Sequence, residues 1–240
     1  MRHFFSFFLL ALVGSATAQA QVQQSGWLAS FNTFKLKNKW SLHFDAQVRS
    51  SDNLKQVQTL LLRPGLNYHI NKKLTATGGY AYIPNRRTVE GVNDYLAEHR
   101  IWEQVVYSHK IKTVAASHRL RFEQRFLPQA IRVADKLETD HYLPAYRLRY
   151  FTRHVLPLQR QPVFNQGWFA ALQDEVFVNT GNKTAVNGHF FDQNRLYLAV
   201  GYRLPATKID LEAGYMNQYS KTRTSFVNNH IAQIAVYKRL

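Results

Sequence analysis

The sequence predicts an all-β chain, a single antiparallel transmembrane β-barrel of about ten to twelve strands. Three observations carry this. Segments of about ten residues alternate apolar and polar with period two, the length and pattern of a tilted membrane-crossing strand. The connections alternate between short polar turns and longer irregular stretches. Composition closes off the competing classes: 16 Phe, 13 Tyr and 4 Trp among 240 residues are too many aromatics for a disordered chain. No apolar run is long enough for a polytopic helical bundle. The absence of cysteine removes disulfides, Cys-type zinc sites and Cys nucleophiles. The formal charge of +16 still allows a basic soluble protein.

Residues 1–20 read as a secretory signal peptide, and 21–240 as one mature domain. Arg2 and His3 supply a short positive region, Phe4 to Val13 an apolar stretch, and Ala16-Thr17-Ala18 a small-x-small cleavage site. Export to a bacterial cell outer membrane follows, and export argues against nucleic acid as partner.

The strands then follow in order. Segment 27–36 opens the mature pattern, and 40–49 sets Trp40, Leu42, Phe44, Ala46 and Val48 against Ser41, His43, Asp45, Gln47 and Arg49. In 56–70, Leu60, Leu62, Leu66, Tyr68 and Ile70 oppose Thr59, Arg63, Asn67 and His69. Segments 74–83, 96–109, 114–126, 142–153 and 167–178 continue the scheme. In 191–203, Leu196, Leu198 and Val200 oppose Gln193, Arg195 and Tyr197; in 209–219, Leu211, Ala213 and Tyr215 oppose Asp210, Glu212 and Gly214. Segment 229–239 closes the chain. These make eleven, whereas bacterial single-chain barrels have an even number, so ten or twelve is expected and twelve favoured. Short turns at 37–39, 71–73 and 205–208 would be periplasmic. Stretches 50–55, 84–94, 128–140, 180–188 and 220–228 would be extracellular loops.

Tyr and Trp favour the headgroup level, so Trp27, Trp40 and Trp168, with Tyr68, Tyr80, Tyr82, Tyr202, Tyr215 and Tyr237, are expected in girdles at strand ends. His99 and His118 fall on the lipid side of their strands, near a rim.

The polar face is rich in arginine. Arg119, Arg121, Glu123 and Arg125 share one face, as do Arg147, Arg149 and Arg153. An Arg facing lipid at mid-depth costs about 2–4 kcal/mol, so these belong inside. With Arg100, Glu103, Glu175, Arg195 and Glu212 they are expected to form a lumen network, guanidinium forks pairing with carboxylates. Glu103 joins it only if a bulge reverses its parity, because Glu98, Arg100, Trp102 and Gln104 point the other way. The network would either plug a narrow barrel or line a pocket for an anionic ligand.

The segments Glu98-His99-Arg100-Ile101-Trp102-Glu103-Gln104, His118-Arg119-Leu120-Arg121-Phe122-Glu123-Gln124-Arg125-Phe126, Arg147-Leu148-Arg149-Tyr150 and Asp174-Glu175-Val176-Phe177-Val178-Asn179 resemble DUF2490, an uncharacterised family of Gram-negative outer-membrane barrels. So do Gln193-Asn194-Arg195-Leu196-Tyr197 and Asp210-Leu211-Glu212-Ala213-Gly214-Tyr215. The resemblance spans nearly the whole mature chain and implies an outer-membrane barrel, with no reaction attached. The chain departs from the usual aromatic barrel terminus by ending Tyr237-Lys238-Arg239-Leu240.

Neither catalytic residues, metal ligands nor cofactors are assigned. Ser41, His43 and Asp45 share a strand face, but side chains two apart on a strand stand about 7 Å apart, too far for a triad. No Gly-x-Ser-x-Gly or His-Glu-x-x-His occurs, and the loop acids match no calcium loop. Loops and turns hold basic residues such as Lys37, Lys72, Arg86 and Lys221, and those at the outer rim suit lipopolysaccharide phosphates. Outer-membrane lipids including lipopolysaccharide, and the barrel-assembly machinery, are the expected partners. The function expected is a structural or narrow transport/binding barrel; the alternatives are an outer-membrane lipid-modifying enzyme and a soluble periplasmic β-sandwich.

Overall fold

The computed structural model describes residues 20–159, 161, 163–205 and 207–238. The signal-peptide reading falls on 1–20 and so lies, but for Ala20, outside the described residues. Eleven strands form one closed barrel: β1 (Gln21–Lys35), β2 (Trp40–Ser50), β3 (Val57–His69), β4 (Leu74–Val89), β5 (Val92–Ile111), β6 (Val114–Val133), β7 (Lys136–Pro157), β8 (Gly167–Thr180), β9 (Phe191–Leu204), β10 (Ile209–Lys221) and β11 (Phe226–Lys238). Each strand pairs antiparallel with its chain neighbours. The closing pair, β1 with β11, is parallel, with Trp27 opposite Gln233 and Leu28 opposite Ile234. No edge is left for the β-sandwich alternative.

The expectation of twelve strands is corrected to eleven. Every counted segment is a strand, and the described residues hold no other. An odd number of up-and-down strands makes the first and last run the same way, which is why closure is parallel and the two ends of the described chain lie at opposite rims.

Two expected loops are also corrected. Stretches 84–94 and 128–140 are mostly strand: β4 and β5 turn at Glu90-Gly91, and β6 and β7 at Ala134-Asp135. Glu90, Gly91 and Ala134 take positive φ there, the left-handed conformation a tight hairpin needs. Pro128 is tolerated because the β6–β7 register shifts between it and Ala130. Connections therefore do not sort simply by length. On the rim of the short turns, β7 and β8 are joined by the longer stretch that carries Phe164, whose ring lies edge-on to Phe169 at 6.1 Å.

The wall alternates as the period-two pattern requires. Leu66, Ile101, Val105, Leu120, Leu172, Leu198, Val200, Leu211 and Ile234 are exposed on its outside and form an apolar belt. Rings flank the belt. Toward one rim, Trp40 packs on Tyr68 at 4.8 Å, Trp168 on Tyr202 at 5.2 Å and His109 on His118 at 5.3 Å. Toward the other, Tyr142 hydroxyl meets His99 Nε2 at 3.1 Å, and Tyr215 hydroxyl meets His230 Nδ1 at 2.5 Å. On β7, Tyr142 and His154 mark the two levels; twelve residues at ~3.3 Å, tilted by ~40°, separate them by roughly 30 Å, the thickness of a bilayer core. Two aromatics leave the expected girdles. Trp27 and Tyr237 lie inside the barrel, because β1 begins well before Trp27 and the parity of β11 turns Tyr237 inward.

The barrel interior is packed. Trp27, Phe169, Tyr197, Met216 and Ile231 form one apolar cluster; Leu61, Ala81, Ile83 and Trp102 form another. Glycine makes room for the rings. A Cβ on Gly79 would fall 2.5 Å from the Trp102 ring and one on Gly65 2.7 Å from it, so only bare backbone lets that indole lie on the β3–β4 wall.

Candidate functional site: the arginine-rich lumen

Between the two apolar clusters the lumen carries stacked layers of charge. Toward the rim of the long hairpins, Glu98 is held by two forks. Arg100 donates from Nε at 2.6 Å and from Nη2 at 3.1 Å, and Arg125 from Nε at 2.7 Å and Nη2 at 3.2 Å. Below it Glu123, buried, accepts from Arg147 Nη2 at 2.6 Å and Arg149 Nη1 at 2.5 Å. Arg100 reaches the same carboxylate at 3.4 Å, and Arg147 also donates to Asp192 at 2.8 Å. Glu175 Oε1 takes Arg119 Nη2 at 2.6 Å and Arg149 Nη2 at 2.7 Å. Arg153 pairs with Glu212 at 2.5 Å and with Gln173 at 3.0 Å. Fully buried Arg121 donates to the neutral Gln104 amide, at 2.9 and 2.6 Å, and lies 4.0 Å from Glu123 Oε1 and 4.6 Å over Trp102.

Strand parity explains why these side chains meet: Arg121 stands opposite Arg149 and Gln104, and Glu123 opposite Arg147 and Trp102, in the β5–β6–β7 register. Burying a charge without a partner is expensive, so each carboxylate collects several guanidiniums. Of the residues expected in the lumen, Arg100, Arg119, Arg121, Glu123, Arg125, Arg147, Arg149, Arg153, Glu175, Arg195 and Glu212 are brought together there. Glu103 is not, and that placement is corrected. β5 runs through it without a register shift, so Glu103 projects outward into the apolar belt, where Gln124 Nε2 donates to it at 3.3 Å.

Asp45, Arg49, Arg63 and Glu98, placed on polar strand faces in the sequence but not counted in the network, also face the lumen. Asp45 accepts a fork from Arg63, its Nε at 3.0 Å and its Nη2 closer still, and lies 3.1 Å from His43 Nε2. Arg49 lies 4.0 Å over Trp27. Glu98 completes the set. The polar parity of β2, β3 and β5 carried the signal, but only closure of the barrel brings β2 and β3 across the lumen from β8 and β9.

A cavity of about 410 Å³ occupies the lumen between these layers and the rim of the short turns. Arg49, Arg63, Arg119, Arg149, Arg153, Arg195 and Lys238 line it, against Asp45 and Glu175. Trp27, Phe31, Phe151, Met216 and Tyr237 supply its apolar surface. The same-strand triad does not form: Ser41 Oγ, buried, meets His69 Nε2 at 2.8 Å, and His69 Nδ1 meets the Thr75 hydroxyl at 3.1 Å with no carboxylate behind it.

A closed wall with an apolar belt, ring girdles and a charged interior defines a porin-like β-barrel. In agreement, the NanC porin superposes with a TM-score of 0.52 over 90% of this chain and 98% of its own, at 10% identity. The chain belongs to the family described as "Protein of unknown function (DUF2490)", whose model matches residues 24–229. An uncharacterized protein of Methylorubrum extorquens is 27% identical over 241 residues, covering 96% of this chain and 95% of the relative.

Proposed function

We propose that the protein is an outer-membrane barrel that holds small anions in a basic chamber, its lumen closed at mid-height by the arginine–carboxylate layer. The single observation that carries this is the imbalance of charge. Guanidiniums outnumber carboxylates in the lumen, and the surplus lines the cavity. A purely structural plug would gain nothing from surplus buried cations, because each costs desolvation without a partner. An open general pore is disfavoured by the burial of Arg121 and Glu123 across the middle. The belt and girdles support insertion in a bilayer. On this reading basic residues toward the rim of the long hairpins, such as Arg86 and Lys221, meet lipopolysaccharide phosphates, and the barrel-assembly machinery inserts the chain. The serine considered for a lipid-modifying enzyme does not support that alternative, since Ser41 is buried and its partner His69 meets the Thr75 hydroxyl.

The test is fractionation followed by retention. Expressed in a Gram-negative cell, the protein should sediment with the outer membrane and migrate faster on gels before boiling than after. Purified and folded in detergent, it should retain a labelled small carboxylate on gel filtration and release a labelled small amine. Recovery from the soluble periplasm, or equal retention of both labels, contradicts the reading.

A further inference from the structure

Arg195 makes no hydrogen bond to the carboxylate that faces it across the strand pair. In the β8–β9 register it stands opposite Glu175. Yet Glu175 Oε1 is occupied by Arg119 and Arg149 from β6 and β7. Among the described residues Arg195 has no hydrogen-bond partner, and its Nε is buried without one. Its position is nevertheless fixed. The guanidinium carbon lies 4.9 Å from the Trp27 ring and 4.7 Å from the Phe177 ring, held between two aromatic groups on different strands. A guanidinium stacked in this way keeps its in-plane N–H groups free to donate.

A second cation sits beside it without a counter-charge. Arg49 stands directly across the strand pair from Trp27 and lies 4.0 Å over the same indole. Its Nε and Nη2 donate to the Gln47 amide oxygen, which cannot neutralise it. Arg119 Nε is also buried and unpartnered, and all three arginines line the one cavity. Positive groups collected on one indole, with donors left over, leave an anion-shaped deficit.

The geometry points to a carboxylate site at Arg195, with Arg49 as the second charge and Trp27 as the platform that holds both. The site presupposes the basic chamber proposed above and names its ligand class. The fixed fork of Arg195 matches two coplanar oxygens, so a carboxylate is preferred to a halide of equal charge. The neighbouring Phe31, Phe151 and Met216 surface gives an apolar body somewhere to lie, which favours an organic carboxylate over inorganic phosphate.

Isothermal titration of the folded barrel in detergent with benzoate, phosphate and chloride tests this, folding being checked for every variant by its gel mobility before boiling. Benzoate should bind saturably and outcompete the other two. Arg195→Gln should weaken benzoate by about tenfold or more, as expected for losing a charge-assisted pair. Arg195→Lys should weaken it nearly as much, because the charge stays and the fork is lost. Lys72→Gln, on the β3–β4 turn and outside the cavity lining, should bind as the parent does. Benzoate binding that survives both Arg195 changes refutes this site while leaving the basic chamber standing. Chloride or phosphate binding as tightly as benzoate refutes the ligand class. If none of the three anions binds the parent, the chamber reading and this site fall together.

Discussion

Glu123 gathers more positive charge than any other lumen carboxylate, so single-residue energetics are sharpest there. Arg147 and Arg149 both donate to it within 2.6 Å. Glu123→Gln takes away the carboxylate these two buried cations share and leaves Arg147 only Asp192 and Arg149 only Glu175; breaking a buried pair costs about 3–5 kcal/mol. Urea unfolding in detergent should shift to a clearly lower midpoint, and an unchanged midpoint would mean that water already serves these arginines. Trp102 offers a steric counterpart: Gly79→Val places branched carbon where the indole lies and should destabilise by about 1–3 kcal/mol through overpacking, read by the same unfolding curve. The inward orientation of Arg119, Arg121, Arg147 and Arg149 was legible in the sequence, because parity along one strand needs no knowledge of its neighbours. Trp27 was misread as a girdle residue since its strand extends upstream to Gln21, where polar Gln23, Gln24 and Ser25 hide the alternation. The state of Arg195 was not legible at all. It depends on which arginine wins Glu175, and that is decided by side chains reaching from β6 and β7, two strands far from it in sequence.

Among the elements, β5 carries a local conflict. Glu103 sits on its outer face between the His99 and Tyr107 levels, in the middle of the apolar belt. An acidic group facing lipid costs less than an Arg or Lys but is still unfavourable, so Glu103→Leu should stabilise the barrel by about 1 kcal/mol in lipid. Thermal unfolding in liposomes reads the change, and a loss of stability would place this face against something polar. The long hairpins β4–β5 and β6–β7 show why their outer parts read as loops. Beyond the belt both faces of a strand meet water, so the ladder continues while hydrophobic alternation disappears, as in Arg86, Arg87 and Thr88. The segment joining β7 to β8 was obscure for the opposite reason. Its anchor is Phe164, whose ring lies 4.4 Å from the Arg203 guanidinium and whose carbonyl accepts from Arg203 at 3.0 Å, contacts made by a distant strand.

For the whole molecule, eleven strands require a parallel seam. Leu28 and Ile234 face each other across it on the outer wall, and the chain has no cysteine of its own. Leu28→Cys with Ile234→Cys should therefore form an intramolecular disulfide under mild oxidation, seen as a mobility shift reversed by reductant. Its absence, with the protein folded, would mean another strand stands between them. The strand count could be read from the segments, but parity argued for an even number, and only the closed sheet shows how an odd one is satisfied. Barrel closure also turns scattered polar faces into one charged lumen, and the account stands or falls on that lumen being blocked at mid-height yet basic below. Current across a planar bilayer measures this most directly. With insertion verified, the wild-type barrel should pass no steady ohmic current, and Glu123→Ala, which removes the carboxylate that joins Arg147 to Arg149 and opens space at mid-height, should admit a small anion-selective one. A wild-type barrel that conducts steadily without selectivity would contradict it.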